Sequence, residues 1–227
     1  MRLSRTKIHR ALRIGAVALV AGMLVATAGG PASADRWGGG GPLIPQYPKP
    51  TKPCSAANLG ETTFVVNAAE VNPTLTHFLA IHITAGTTGE HSETLETVNE
   101  VTTQVGQSTE ITAKGTLGFV EVQAKVGFSV QTTTSSTNST SVTDTWNFSL
   151  PGYYGLYKGT RAVEGTWLEY QCYQLQGGGV PTHPHWFQVG GLESYKTFSV
   201  LEAGTIGCAD TPPSGSVRFQ ARLYLGC

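Results

Sequence analysis

The chain has 227 residues, with fifteen Lys and Arg and fifteen Asp and Glu. Five of the cations lie in the first 34 residues, so the rest of the chain carries ten positive and fifteen negative charges, a net charge of −5. Nucleic-acid binding requires clustered cations, which this part of the chain lacks, and no later segment has the roughly 20 apolar residues of a membrane-spanning helix.

The first 34 residues predict a secretory signal peptide. Arg and Lys residues precede an apolar run from Ile14 to Ala28, and Ala32-Ser33-Ala34 follows as a small-residue cleavage site. We therefore expect a signal peptide at 1–34 and a mature protein that is secreted and extracellular. The Arg-rich, Ala/Gly/Val composition of the signal peptide is typical of bacteria.

Residues 35–53 are dense in Gly and Pro, which predicts a tether or an extended strap. From Thr62 onward, β-branched and aromatic residues alternate with polar ones, and no window has a convincing helical period. The prediction is a single, nearly all-β domain over 54–227.

Four cysteines, Cys54, Cys172, Cys208 and Cys227, remain after cleavage, and an even number in an exported chain predicts two disulfides. Three pairings are possible. We favour Cys172 with Cys208 and Cys54 with Cys227, and we expect Trp167, Leu168 and Tyr170 to form core against a disulfide.

Within residues 95–131 the apolar residues lie at alternate positions, and these positions change from odd to even numbers near Phe119. The apolar residues are mainly odd-numbered as far as Phe119 and even-numbered from Val120 to Val130. Alternate side chains of a strand point to opposite faces, so both arms are predicted to be amphipathic strands. Either a hairpin turn at Lys114-Gly115, pairing Val101 with Phe128 and Val105 with Ala124, or a kink near Gly118 explains the change.

Residues 132–145 read TTTSSTNSTSVTDT. The even parity continues through this run to Val142 and Leu150, and Thr is compatible with strands because of its β-branching. The run is therefore predicted to continue a strand, with or without a turn at 135–139.

Three features together resemble the pore-forming module of aerolysin-type β-pore-forming proteins, the group that includes epsilon-toxin, mosquitocidal toxin and natterin-like proteins. They are the amphipathic KGTLGFVEVQAKVGFSV, the Ser/Thr-rich QTTTSSTNSTSVTDTWNFSL and the Pro-Gly end PGYYGLYKG, all within residues 84–172. The resemblance implies an elongated fold of long antiparallel twisted strands, with a Ser/Thr-rich amphipathic hairpin that enters a shared β-barrel. The partners it implies are a target membrane or surface receptor and further copies of the chain in a homo-oligomer.

The resemblance also assigns roles to residues, because a transmembrane strand needs only about 9–11 residues with one apolar face. The membrane-inserting hairpin would comprise Val101, Val105, Ile111, Leu117, Phe119, Val120, Val122, Ala124, Val126, Phe128 and Val130. Leu117, Phe119 and Val120 would form its tip. The pore lumen would be lined by Glu96, Glu100, Glu110, Glu121 and Lys125, which would favour cations.

Two other functions are weighed against pore formation. The first is a non-lytic secreted β-sandwich that binds a glycan or protein, with Tyr173, Trp186, Phe187 and Tyr195 as aromatic contacts. The second is a metal-dependent enzyme that uses His183 and His185, which alternate onto one face of a strand but lack an identifiable third ligand.

We expect no enzymatic activity and no cofactor, since the chain has no motif of a nucleophile elbow, zinc protease, phosphate loop or dinucleotide site. Tyr153, Tyr154 and Tyr157 beside Lys158 are compatible with a membrane-interface belt or with ordinary packing.

Overall fold

The computed structural model describes residues 47–138, 142–175 and 183–227 of the chain. Its centre is a pair of 22-residue antiparallel strands, β1 (Thr62–Ile83) and β5 (Gly152–Tyr173). They pair from Thr62 opposite Gln171 to Ile83 opposite Gly152, with irregularities after Val66 and after Leu75. These described residues belong to one compact unit, which spans 45–227.

The other strands flank this pair, and all pairings are antiparallel. The remaining strands are β2 (Gly89–Thr97), β3 (Gln104–Val105), β4 (Val142–Phe148), β6 (His185–Gln188), β7 (Glu193–Phe198) and β8 (Glu202–Gly207). The sheet order is β3-β7-β5-β1-β2-β4, with β6 and β8 also pairing with β5. The prediction of a mostly antiparallel β-protein is confirmed.

Two α-helices occur in the described residues besides the strands, although no window of the sequence has a convincing helical period. Besides a short 3-10 helix (Ala56–Asn58), the chain forms α1 (Ala113–Val126) and α2 (Val217–Leu225). A hydroxyl group caps the start of each α-helix: Thr112 accepts a hydrogen bond from the Gly115 amide, and Ser216 accepts one from the Phe219 amide.

Each α-helix ends at a left-handed glycine, Gly127 with φ 77° and Gly226 with φ 87°. Glycine adopts this conformation without a side-chain penalty, so it is the usual helix terminator. Capping hydroxyls and terminal glycines are therefore the local signals that distinguish these segments from strands.

The buried residues form three clusters. One surrounds Trp167 beneath α1, and a second lies between α2 and β5. A third packs the paired strands β2 and β4 against the end of β1 and the start of β5. Trp167, Leu168 and Tyr170 are all buried, beside the buried Cys172, which confirms their prediction as core.

Two disulfides are present, as predicted, but the favoured pairing is wrong. Cys54 bonds Cys172, and Cys208 bonds Cys227. The first ties the segment before β1 to the end of β5, and the second ties the end of β8 to the end of α2. The packing of the strand ends explains the difference. Strand β1 begins opposite the end of β5, which brings Cys54 to Cys172. Helix α2 packs against β8, which brings Cys227 to Cys208.

The Ser/Thr run is a strand over only part of its length. Strand β4 begins at Val142, residues 132–138 contain only an isolated bridge from Ser136 to Thr102, and residues 139–141 lie outside the described part. The prediction that the run continues a strand is therefore wrong for 132–138. These residues bond instead to a neighbouring irregular segment, as the next subsection describes.

Candidate functional site

The candidate site is the excursion that the chain makes between β2 and β4. These strands pair as an antiparallel ribbon, with Gly89 opposite Phe148 and Leu95 opposite Val142. Of the residues between the end of β2 and the start of β4, the structure describes 98–138. They contain α1, which packs mainly against β1, and all eleven of the predicted membrane-inserting residues.

One face of α1 is buried on the sheet. Phe119 and Val122 are fully buried, and Phe119 meets the ring of Trp167 edge-on at 5.2 Å between centroids. Gly118 lies directly over the Trp167 ring, where an added Cβ atom would lie 2.7 Å from the ring carbon Cζ3. The helix can approach Trp167 this closely because position 118 has no side chain.

The opposite face of α1 is also apolar, although it faces solvent. Leu117 is 51% exposed and Val120 is 49% exposed, and Ala113 and Ala124 are exposed as well. An ordinary surface helix carries polar residues on this side. The apolar residues of α1 therefore occupy two opposite faces of the helix instead of one, in keeping with their alternation in the sequence.

Hydroxyl groups link the segment before α1 (residues 98–112, the outgoing limb) to the segment after it (residues 127–138, the returning limb). The amide of Val101 donates to Thr137 Oγ1 at 2.9 Å, the amide of Ser135 donates to Thr103 Oγ1 at 2.8 Å, and the amide of Ile111 donates to Thr134 Oγ1 at 3.0 Å. Thr103 and Thr137 are buried. Thr side chains thus accept hydrogen bonds from backbone amides that would bond a neighbouring strand in a regular sheet.

The predicted hairpin pairing is not present. Val101 bonds Thr137 through both their backbones and the Thr137 hydroxyl, and Val105 pairs with Tyr195 of β7. Neither Phe128 nor Ala124 opposes them. Residues 113–126 form neither two hairpin arms nor two strands joined by a kink, because helical packing on Trp167 buries Phe119 and Val122 together.

The predicted inserting residues are therefore divided between two environments. Phe119, Val122 and Val130 are buried, and Phe119 belongs to the core instead of forming an exposed tip. Val105, Ile111, Val126 and Phe128 pack partly buried against the same cluster. Val101 is half-buried in the outgoing limb.

The predicted lumen residues are all exposed, but they do not share one surface element. Glu96 lies in β2, Glu110 precedes α1, and Glu121 and Lys125 lie on α1. Glu100 accepts hydrogen bonds from Ser136 Oγ and from Asn138 Nδ2, so it also links the two limbs.

Sequence reasoning missed the polar contacts that hold α1 at its N-terminal end. Lys114 pairs with Glu169 of β5 at 2.6 Å, and the indole N–H of Trp167 donates to Glu193 at 3.1 Å. Both carboxylates line a groove of about 300 Å³ beside the start of α1. These partners come from distant parts of the chain, so no local pattern announces them.

Burial beneath α1 also changes the acidity of Tyr195. Its ring stacks on Trp167 at 4.7 Å, and its hydroxyl donates to the carbonyl of Ala68 at 2.9 Å. Loss of solvation raises the pKa of Tyr195 to about 12, so the phenol stays neutral. Tyr195 is therefore core and does not provide the surface contact that was considered for it.

The remaining candidates lie elsewhere. His183 and His185 are exposed, and no group of three or more metal-binding side chains occurs within residues 47–138, 142–175 and 183–227. Tyr157 is buried and Tyr154 is half-buried with its hydroxyl on Leu150, which leaves only Tyr153 exposed. The three tyrosines therefore do not form a belt in this structure.

No family model, no curated protein and no solved structure matches this chain. Among the described helices, none combines the length and the apolar composition needed to span a membrane.

Proposed function

We propose that this protein is a secreted pore-forming protein whose residues 98–141 leave the sheet and extend β2 and β4 into a membrane-inserting hairpin. The observation that carries the proposal is the register of the β2–β4 ribbon. This is the behaviour implied by the resemblance to aerolysin-type proteins, with the difference that the inserting element is stored partly as a helix.

Extending the register beyond Leu95 and Val142 gives a well-formed hairpin. It pairs Ile111 with Val126 and Leu117 with Val120, since Leu95 lies opposite Val142. Gly118 and Phe119 then form a two-residue turn. Glycine at the first central position is the preference of the type II′ turn, one of the two favoured hairpin turns.

The same register separates charged from apolar residues. Side chains directly opposite each other share a face, so odd positions of the first arm join even positions of the second. The charged residues from Glu96 to Lys125 then all lie on one face, and this set is Glu96, Glu100, Glu110, Lys114, Glu121 and Lys125. The other face carries the apolar residues from Val101 to Val130, apart from Phe119 in the turn.

The composition of α1 supports a helix that can be given up. Two glycines in its 14 residues cost about 2 kcal/mol relative to alanine, and its three valines are also weak helix formers. The hydrophobic residues alternate, which is the pattern of a strand with one apolar face. Packing against Trp167, more than intrinsic preference, therefore stabilises the helical form.

The conversion requires specific contacts to break. The Lys114–Glu169 ion pair and the packing of Phe119 on Trp167 must be lost. The limbs must also shift by one residue, because Thr102 now lies opposite Ser136 and the extended register would place it opposite Ser135. The hydroxyl groups suit this shift, since they bond backbone groups without a fixed strand ladder.

Insertion in this form requires more than one copy. A lone hairpin leaves unpaired backbone groups in lipid, where they cost several kcal/mol each, so hairpins from several copies must close a barrel. The partners are accordingly a target membrane or surface receptor and a homo-oligomer. Four carboxylates and two lysines per copy would face the lumen and favour cations. The two disulfides are typical of extracellular proteins, in keeping with secretion.

Two single-charge variants at matched depth test the proposal. Ala113 and Gln123 lie the same distance from the proposed turn within about one residue, but Ala113 belongs to the apolar face and Gln123 to the lumen. Ala113 is exposed in the helix, so Ala113→Glu should fold normally. A charge facing lipid costs up to a few kcal/mol per copy, whereas one facing water costs little.

We expect mature wild-type protein and Gln123→Glu to release dye from liposomes, and Ala113→Glu to release it at least tenfold more slowly. Circular dichroism and thermal unfolding would show that both variants retain the fold. Equal leakage by the two variants would exclude this register. An absence of wild-type leakage and of large oligomers over a broad panel of membranes would refute pore formation.

A further inference from the structure

A groove lies between α1, the start of β1 and the strap formed by residues 47–53. The strap is fixed at several points: Tyr170 donates to the carbonyl of Pro48 at 3.0 Å, Trp186 donates to that of Lys52 at 2.6 Å, and Cys54 follows with its disulfide. The groove has a volume of about 480 Å³, which is in the usual range of small-molecule sites.

The floor of the groove is apolar and its rim is charged. Phe64 and Val66, both almost fully buried, line it from β1. The charged lining residues are Lys49, Lys52, Glu61, Glu121 and Lys125. Lys52 and Glu61 neutralise each other in an ion pair of 2.6 Å, which leaves Lys49, Lys125 and Glu121.

These two lysines are unusual among the cations of the described residues. Every other described Lys or Arg has a partner: Lys52, Lys114, Lys158, Lys196 and Arg218 form ion pairs, Arg161 lies over Phe128, and Arg222 bonds a carbonyl. Lys49 and Lys125 are the two whose side chains have no ion pair, hydrogen bond or cation–π contact in the described part of the chain, and both line this groove. Glu121 likewise has no ion pair there.

We propose that the groove binds a zwitterionic phospholipid headgroup, with the lipid phosphate between Lys49 and Lys125, the ammonium group toward Glu121 and apolar chain atoms against Phe64 and Val66. Two cations and one anion around an apolar floor match a phosphodiester that carries both an ammonium group and an acyl chain. The proposed function supplies the source of this ligand, a membrane, and the inference rests on it for that point alone.

Binding here would also act on the inserting segment. Glu121 and Lys125 belong to α1, whereas Lys49 belongs to the strap, so a bound headgroup contacts both. The groove therefore lies where contact with lipid can change the position of α1 against the sheet.

The test uses the full mature chain and dihexanoylphosphatidylcholine below its micelle concentration, with titration followed by calorimetry. We expect this lipid to bind, phosphocholine without acyl chains to bind at least tenfold more weakly, and inorganic phosphate to bind more weakly still. Lys49→Gln and Lys125→Gln should each weaken lipid binding about tenfold, as expected for loss of a charge-assisted contact. Lys196→Gln is the matched control, since Lys196 is an exposed cation outside the groove, and its affinity should equal that of the wild type.

The results that would overturn the inference are no binding of the short-chain lipid or binding that is insensitive to both groove substitutions. Equal affinity for phosphocholine and for the lipid would overturn the membrane source and indicate a soluble phosphate ester. Lipid binding without dye release would refute pore formation and support the lipid site. Dye release without lipid binding at the groove would support pore formation and refute the lipid site.

Discussion

The contact between Gly118 and Trp167 provides a quantitative test of how α1 is held. Substitution Gly118→Ala would place a Cβ atom 2.7, 2.8 and 3.0 Å from three carbons of the Trp167 ring. Trp167 cannot easily move away, since it is 1% exposed and stacks on Tyr195. Overpacking of this kind costs about 1–3 kcal/mol, and the helical preference of alanine over glycine returns about 1 kcal/mol.

Gly115→Ala is the matched control, because it makes the same change one turn earlier on the same helix. Its added Cβ would lie 3.3 Å from Ile111 and 3.4 Å from Val105, contacts that small side-chain shifts relieve. The gain in helical preference should then offset the contact. We expect the free energy of unfolding of Gly115→Ala to lie within about 0.5 kcal/mol of the wild-type value or slightly above it.

Urea unfolding of the three proteins, monitored by tryptophan fluorescence and circular dichroism, gives the free energies of unfolding. Gly118→Ala should be less stable than Gly115→Ala by about 1–2 kcal/mol. If the two variants are equally stable, α1 does not pack on Trp167 as described.

Three further predictions concern the remaining supports of the fold. Removing the Cys54–Cys172 disulfide with serines should cost more stability than removing Cys208–Cys227, about 5 against about 3 kcal/mol by loop-closure entropy, because the bonds close 118 and 19 residues; equal losses in urea would contradict this. The Gly207 amide and Arg218 lower the pKa of Asp210, so its stabilisation is present above its ordinary pKa near 4 and lost as pH falls through the lowered value. Asp210→Asn should therefore be less stable than the wild type at pH 7, with a difference that shrinks in acid. The raised pKa of Tyr195 predicts a loss of stability at high pH, as pH rises from about 10 to 12. Tyr195→Phe should reduce this loss, while costing about 1 kcal/mol at pH 7 because its hydrogen bond to the Ala68 carbonyl is removed.

The strand composition of the fold follows from local sequence, as the long pair β1 and β5 illustrates. Both strands are rich in β-branched and aromatic residues, and Trp167, Leu168 and Tyr170 are buried as their environment in the sequence suggested. The disulfide pairing does not follow in the same way. It depends on which strand ends meet, and the pairing of β1 with β5 joins residues about a hundred positions apart.

The helix α1 shows a different reason for failure. Its apolar residues alternate, which indicates a strand, and in the helix they fall on two opposite faces instead of one. Thr112 and Gly127 are valid capping signals, but they are outweighed by that alternation unless the position of Trp167 is known. Gly118 decides the outcome, since only a small residue there lets the segment pack on the indole ring.

The mismatch between pattern and conformation is what connects this fold to the proposed function. A helix selected only for the soluble fold has no need of exposed Leu117 and Val120, nor of glycines and valines through its length. The same residues form a consistent amphipathic hairpin once the β2–β4 register is extended, with every charge on one face. One sequence requirement, alternation, thus conflicts with the helix and agrees with the hairpin, and local conflicts of this kind are expected where a segment serves a second conformation. The docked helix is then the form that needs support from elsewhere in the molecule, and Trp167, Glu169 and the Ser/Thr hydroxyls of the returning limb supply it.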